Sequence, residues 1–317
     1  MHYRTLGRTG LEVSVVGFGA SPLGGVFGEV SEAVGTRAVR AALDLGVNFF
    51  DVSPYYGLTK AETALGRALR GVDRSGYFLA TKVGRYGAAM KDFDFSAERV
   101  TRSVDESLGR LGVDHVDLIQ CHDVEFGDLQ QVIDETLPAL EKVVATGKAR
   151  FVGITGLPLK VFPRIIDAAG GCVDTVLSYC HYTLNDDSFG GMLPYLDQKG
   201  VGIINAAPLS MGLLSEVGPR EWHPASAAIK AACAKAALAC RERGTDIARL
   251  ALQFAVAEPR IATTVIGIAS EEQIVRNVKW ASEPMDEELL ATVRGILAPV
   301  HNQTWSSGRP ENNGEAS

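Results

Sequence analysis

The stretch "NFFDVSPYYG", Asn48 to Gly57, ends an apolar run in a carboxylate and follows it with two adjacent tyrosines. A carboxylate at that point must find a partner or stay protonated. Two later apolar runs also end in reactive groups, "LATKVG" in Lys82 and "LIQCHD" in His122. An aspartate, a tyrosine, a lysine and a histidine together can move a proton to or from a carbinol oxygen while a hydride moves elsewhere. A phenol titrates near pH ~10, too high for an efficient base at neutral pH. A neighbouring ammonium favours tyrosinate, and a carboxylate behind the lysine keeps it charged despite burial. The imidazole can position the reacting oxygen. Asp51 is therefore expected to pair with Lys82, and Lys82 to lower the proton affinity of the tyrosine. Taken singly, each residue also suits a structural role as ion pair, rim tyrosine or core histidine. Their joint occurrence at successive strand ends carries the reading, and the chemistry alone does not choose between Tyr55 and Tyr56.

Elements of one repeating kind must position these groups. The opening "YRTLGRTGLEVSVVGFGA" reads as a hairpin with a Gly-Arg-Thr-Gly turn, then a short strand at Val15–Phe18. After it an amphipathic helix, a glycine and an apolar strand recur seven times, from "TRAVRAALDLG" with "VNFFDVS" to "IARLALQFAVAEP" with "TTVIGIA". Continuous apolar strands suit a sheet covered on both faces. About eight parallel strands in one α/β domain, residues 1–317, most simply close into a (β/α)8 TIM barrel with an N-terminal β-hairpin. The competing open, doubly wound sheet needs a GxGxxG turn opening a helix. "GFGASPLGG" is the nearest match, and a polar glycine-rich loop follows it. The polar tail over about residues 302–317 is expected to fray or lie loosely over a barrel rim.

Composition narrows the partners. The net charge of −7 and the absence of a dense Lys/Arg run speak against nucleic acid and anionic membranes. No apolar run approaches a bilayer-spanning length, and the polar start does not resemble a signal peptide. Five scattered cysteines without CxxC spacing point away from disulfides or a zinc site and toward a reducing, cytoplasmic setting. Cys121 directly precedes His122, so its side chain should enter the helix layer as a small buried hydrophobe.

"FFDVSPYYG", "LATKVG" and "DLIQCHD" resemble the aldo-keto reductases, whose motif sets the catalytic tyrosine five residues after the aspartate. "ETALGRAL", "GKARFVGITG", "APLSMGLL" and "VIGIASEEQIVRN" extend the resemblance, in order, over nearly the whole chain. It implies the barrel, a catalytic tetrad of Tyr56, Lys82, Asp51 and His122, and Tyr55 as a pocket wall. It also implies a nicotinamide cofactor. Gly19, Ala20 and Ser21 would lie beside the nicotinamide ribose, with Asp51 close by. Thr155 and Ser178 would hold the carboxamide. The loop Ala207, Pro208, Leu209, Ser210 and Gly212 would wrap the pyrophosphate. Gly267, Ala269, Gln273 and Asn277 would hold the adenosine.

Departures from the family pattern bear on the cofactor. Thr155–Gly156 stands where members often carry Ser-Asn, and Ala206 replaces a ring that commonly stacks on the nicotinamide. NADP-dependent members place basic side chains where this chain has Gly267 and Gln273, flanked by Glu271 and Glu272. A 2′-phosphate needs cationic partners, so NAD is expected. Arg276, near Gln273 on the same helix side, is the residue through which NADP could also be used.

"DVSPYYGLTKAETALG", "IQCHDVEFGDL", "GITGLPLKVF" and "SYCHYTLNDDS" resemble the members that oxidise L-galactose at its anomeric carbon. That implies a sugar substrate, with Tyr56, His122, Tyr55 and His181 touching it and Tyr182 and Trp305 as further wall candidates. Related aldoses, L-fucose or D-arabinose, are the first alternative, and a non-catalytic nicotinamide-sensing subunit is the second. A monomer or weak homodimer is the family expectation.

Overall fold

The computed structural model describes residues 1–313. Its hairpin pairs β1 (Tyr3–Thr5) with β2 (Glu12–Ser14) around a single 3-10 turn at Gly7–Thr9. Gly7 has φ +50°, and a Cβ there would lie 2.3 Å from the amide nitrogen of Gly202, so the turn seats directly on the barrel. Leu6, Leu11 and Val13 plug the lower barrel interior. Arg4 ties the hairpin down by donating to the carbonyls of Val256, Glu258 and Ile261 at 2.7–2.8 Å.

The seven helix–strand units fold as read. Strands β3 (Val16–Gly19), β4 (Phe49–Asp51), β5 (Phe78–Val83) and β6 (Val116–Cys121) run in order around the wall. β7 (Ala149–Gly156), β8 (Thr175–Tyr179), β9 (Gly202–Ala206) and β10 (Thr263–Gly267) complete it, and β10 closes on β3. The barrel helices are α1 (Glu32–Asp44), α2 (Lys60–Leu69) and α3 (Ala97–Leu111). A short α4 (Leu129–Gln131) continues through a π turn into α5 (Leu137–Ala145). Then come α6 (Val161–Ala168), α7 (Leu193–Gln198), α8 (Ala227–Glu242), α9 (Ile247–Ala257), α10 (Glu271–Ser282) and α11 (Glu287–Leu297). Side-chain caps start many of them. Ser31, Ser96, Ser226 and Ser270 each accept from the backbone N–H three residues on, as does Asp286.

Strand periodicity sorts the core into two layers. Phe49, Ala80, Leu118, Leu177 and Ile204 fill the barrel, while Phe50, Leu79, Ile119, Val176 and Ile203 face the helices. Cys121 lies in the outer layer, fully buried, as its strand position predicts. α8 and α11 are additions to the repeat. They build a separate apolar cluster with α9 through Ile229, Cys233, Leu250, Leu289 and Val293. Among the described residues, no helix is long and apolar enough to cross a membrane.

The tail departs from expectation. Rather than lying loosely, residues 302–313 dock across the end of β6, where Asn312 is buried and donates to the carbonyls of Glu125 and Gly127. Gly308 (φ +77°) passes so close that a Cβ would sit 2.3 Å from the Glu125 carbonyl oxygen. Residues 314–317 of the predicted tail lie outside the described range.

A pair of glycines fixes the catalytic loop. Gly57 has φ +63° and a Cβ there would lie 2.1 Å from the Gly24 carbonyl, while Leu58 and Thr59 continue left-handed at φ 50° and 75°. Gly57→Ala should therefore lower stability by roughly 3 kcal/mol, read as a fall in the denaturant midpoint at constant slope. Gly10→Ala, also left-handed (φ +68°) but with open space around it, should lose only about 1 kcal/mol.

Candidate active site

The residues that end the inner columns of the barrel meet at one mouth. Phe49 is followed on the same face by Asp51 and then Ser53, Ala80 by Lys82, and Leu118 by Gln120 and then His122. The expected pairing holds. The Lys82 ammonium contacts Asp51 Oδ1 and donates to the Val52 carbonyl at 2.9 Å, with both residues buried. Gln120 donates to Asp51 Oδ2 at 2.8 Å. Lys82 Nζ lies 5.1 Å from the centre of the Tyr56 ring, whose edge meets His122 at a centroid distance of 5.7 Å. Asp51, Tyr56, Lys82 and His122 thus come together, with Tyr55 packed beside both Tyr56 and His122.

One electrostatic expectation is overturned. The Tyr56 phenol is held well above its usual value, not below it. Burial is the largest cause, and the Asp51 and Asp123 carboxylates add to it. The Lys82 ammonium is held by Asp51 and Val52, and Arg85 is the cation that opposes the rise, without overcoming it. His122 is pushed down to about 3, chiefly by burial and then by Lys82 and Arg85, against the opposing pull of Asp123. The imidazole is therefore neutral at physiological pH. Ser53 Oγ accepts from the Tyr55 N–H at 3.1 Å and lies 3.0 Å from His122 Nδ1. Ser53 can direct its one hydrogen at Nδ1, the arrangement that leaves the imidazole proton on Nε2, the nitrogen beside Asp123.

Ser53, Gln120, Arg85, Asp123 and Glu125 are parts of the site that the sequence reading passed over. Strand alternation from Asp51 and His122 was the available signal for Ser53 and Gln120. Arg85 pairs with Asp123, and its guanidinium lies 3.7 Å above the Tyr55 ring. Burial would raise Asp123, but the charge and hydrogen bond of Arg85, with the Lys82 charge, act against it, and the carboxyl is held below its ordinary range. Glu125 is raised to about 8 by burial and by Asp123. Its Oε1 accepts from Ser307 and the Leu157 N–H, while Oε2 is buried without a partner. A Cβ at Gly156 would lie 2.9 Å from that Oε2, which gives a physical reason for glycine at this position.

The proposed cofactor cradle is partly assembled. Gly19 and Gly267 are register partners on β3 and β10, with Ala20, Ser21 and Pro22 alongside. Thr155 and Ser178 lie on neighbouring strands β7 and β8. The Oγ atoms of Ser178 and Ser210 and Oδ1 of Asn205 are buried without partners, a state that fits a polar ligand completing them. In the loop from Ala207 through Pro208 and Leu209 to Gly212, Ala207, Ser210 and Met211 all have positive φ, between 49° and 53°. Such backbone persists where the surroundings over-determine it, often at ligand clamps. The residues present therefore fit a nicotinamide dinucleotide. At the adenosine end, Gln273 turns back to accept from the Ala269 N–H at 2.7 Å, and Asn277 is buried nearby on the same helix.

Other candidates have partners of their own. His181 is buried, with Nδ1 3.0 Å from both Asp186 and Ser188, so its ring braces its own loop. Tyr182 stacks on Phe254, and Trp305 packs edge-on against His223. A cleft of about 790 Å³ between α2 and α3 opens at the opposite, strand-start end of the barrel. Of its arginines, Arg67, Arg74 and Arg110 are already paired with Glu32, Asp117 and Glu62.

The sequence profile of the Aldo/keto reductase family matches residues 15–298. The chain belongs to the aldo-keto reductase family. It is thus an oxidoreductase using a nicotinamide cofactor. It is 52% identical to L-galactose dehydrogenase of Arabidopsis thaliana over 98% of each chain. It is 32% identical to D-arabinose 1-dehydrogenase of Saccharomyces cerevisiae, over 86% of this chain and 87% of that one. An aldo-keto reductase from Bacillus halodurans, solved in its holo form, superposes with a TM-score of 0.77 at 26% identity, covering 97% of this chain and 98% of that one.

Two outcomes follow from the site. Ser53→Ala frees His122 Nδ1, and steady-state kinetics should show kcat falling about 10- to 100-fold with little change in cofactor affinity. Glu125 keeps in the folded chain a proton that the unfolded chain releases above 4.5, so it reduces stability progressively as pH rises from 4.5 to about 8. Glu125→Gln should remove that loss. Urea melts should find the variant gaining on the parent by a few kcal/mol between pH 4.5 and 8.

Proposed function

We propose that this enzyme oxidises the anomeric hydroxyl of L-galactose with NAD, giving L-galactono-1,4-lactone on a route to ascorbate. The observation that carries the reading is the full-length 52% identity to a plant L-galactose dehydrogenase. The assembled tetrad supports turnover over a binding-only role. The D-arabinose 1-dehydrogenase relative keeps a related aldose as the second reading.

The chain's own groups divide the work. His122, neutral and protonated on Nε2, donates to the anomeric oxygen and orients it. Tyr56 takes the hydroxyl proton as tyrosinate, once its own proton has left to solvent, and Lys82 with Asp51 and Gln120 holds the phenol's surroundings rigid. An oxidised nicotinamide bound beside them supplies the hydride acceptor and a positive charge that favours tyrosinate. Tyr55, backed by Arg85, forms a flat wall suited to a sugar ring.

The choice of NAD is supported at the adenosine end. Glu271 and Glu272 open α10, and Gln273 presents no cation there. Two arginines of this region have partners: Arg276 rests 4.9 Å from the Trp280 ring centre, and Arg37 lies 3.9 Å from Glu271. A 2′-phosphate at the start of α10 would have Glu271 and Glu272 as neighbours, which disfavours it.

Initial rates of reduced-cofactor formation from L-galactose, with NAD and NADP at matched concentrations, test the proposal. Strong turnover with NAD and little with NADP is expected. Turnover of L-fucose or D-arabinose in preference to L-galactose would move the assignment to that sugar, and equal use of NADP would remove the NAD argument. The pH profile adds a second check. Oxidation should quicken with rising pH as Tyr56 loses its proton, with no limb near the ordinary imidazole value, because His122 stays neutral.

A further inference from the structure

We propose that Asp123 reads a second substrate hydroxyl, on the carbon next to the one oxidised, and so makes the site selective for vicinal diols. The inference rests on the aldose reading above and names what recognises the sugar. Asp123 follows His122 in a left-handed turn (φ +50°), which brings its Oδ2 to 3.6 Å from His122 Nε2. That separation is beyond a hydrogen bond, so the carboxylate flanks the Nε2–H without consuming it. The reacting oxygen must sit on Nε2. In a gauche diol the neighbouring oxygen lies about one hydrogen-bond length from it, within reach of Oδ2.

The carboxylate is held for such a contact. Arg85 pairs with Oδ2 and rests on the Tyr55 face. Thr155 Oγ1 lies 3.4 Å from Oδ1 and accepts from the Asp123 N–H at 3.0 Å. An ionised carboxylate offers about four acceptor positions, and these two neighbours take two of them. Because it accepts only, its remaining partner must be a donor: a hydroxyl beside the reacting carbon, which a simple alcohol or a 2-deoxy sugar lacks. Arg85 is then a positioning residue, fixing Asp123 and the Tyr55 wall together.

The test compares kcat/KM for L-galactose, L-fucose and D-arabinose with those for their 2-deoxy analogues, in the parent and in Asp123→Asn. The parent should prefer the hydroxylated member of each pair that it turns over by at least about 30-fold. In the variant that ratio should shrink at least tenfold, with the loss on the sugar falling mainly on KM. A merely slackened loop would instead lower kcat for both members and leave the ratio standing. The parent comparison needs no variant, so it can overturn the role of Asp123 even if Asp123→Asn fails to fold. Parental selectivity under about threefold, or equal selectivity in a folded variant, overturns the role of Asp123. Turnover of L-fucose or D-arabinose but not L-galactose sinks the sugar assignment alone, and that sugar's pair then tests Asp123. Turnover of none of the three overturns both readings.

Discussion

The buried Asp51–Lys82 pair is the constraint around which the rest of the site is organised. Two charges withdrawn from water persist only if each is matched and its remaining hydrogen-bonding capacity is filled. Here Gln120 takes the second carboxylate oxygen and the Val52 carbonyl takes a lysine proton. Those partners come from β4, β5 and β6, so the pair can exist only when three adjacent strands are in register. The barrel positions the pair, and the pair in turn fixes the polar ends of the inner columns against one another.

A second pair, Arg85–Asp123, lies on the other side of His122. Between two anions and two cations, all largely buried, the imidazole and the phenol are both kept neutral. Neutrality suits them to different tasks. A neutral imidazole with its proton on Nε2 is a fixed donor, while a neutral phenol must first lose its own proton, a loss that an additional positive charge favours, before it can act as base. The overturned expectation about Lys82 is instructive on this point. Burial and the Asp51 and Asp123 carboxylates raise the phenol by more than the cations around it can lower it.

Much of the fold was legible because a parallel barrel repeats one unit. Each amphipathic helix followed by an apolar strand left the same pattern, and the tetrad stood at the ends of those strands. α8 and α11 were passed over because no strand follows either of them, so they do not fit that pattern. Ser53 and Gln120 were within reach of the sequence, two residues along the same strand face from Asp51 and His122. Arg85 and Asp123 were not. Their pairing depends on a left-handed turn after β6 that places Asp123 beside its own neighbour, and no local periodicity encodes such a turn.

The docked tail follows from the same electrostatics. Glu125 is fully buried and stands two residues from an ionised Asp123, so a second negative charge there is strongly disfavoured. Kept protonated, its carboxyl can sit beneath Ser307 and Asn312 without an uncompensated charge. Gly156 and Gly308 leave room for it on either side. Burial first, and then the carboxylate at Asp123, keep the acid at Glu125 protonated, and the neutral acid lets the tail close over the strand end. The group proposed to read the substrate thus also bears on the seating of the tail.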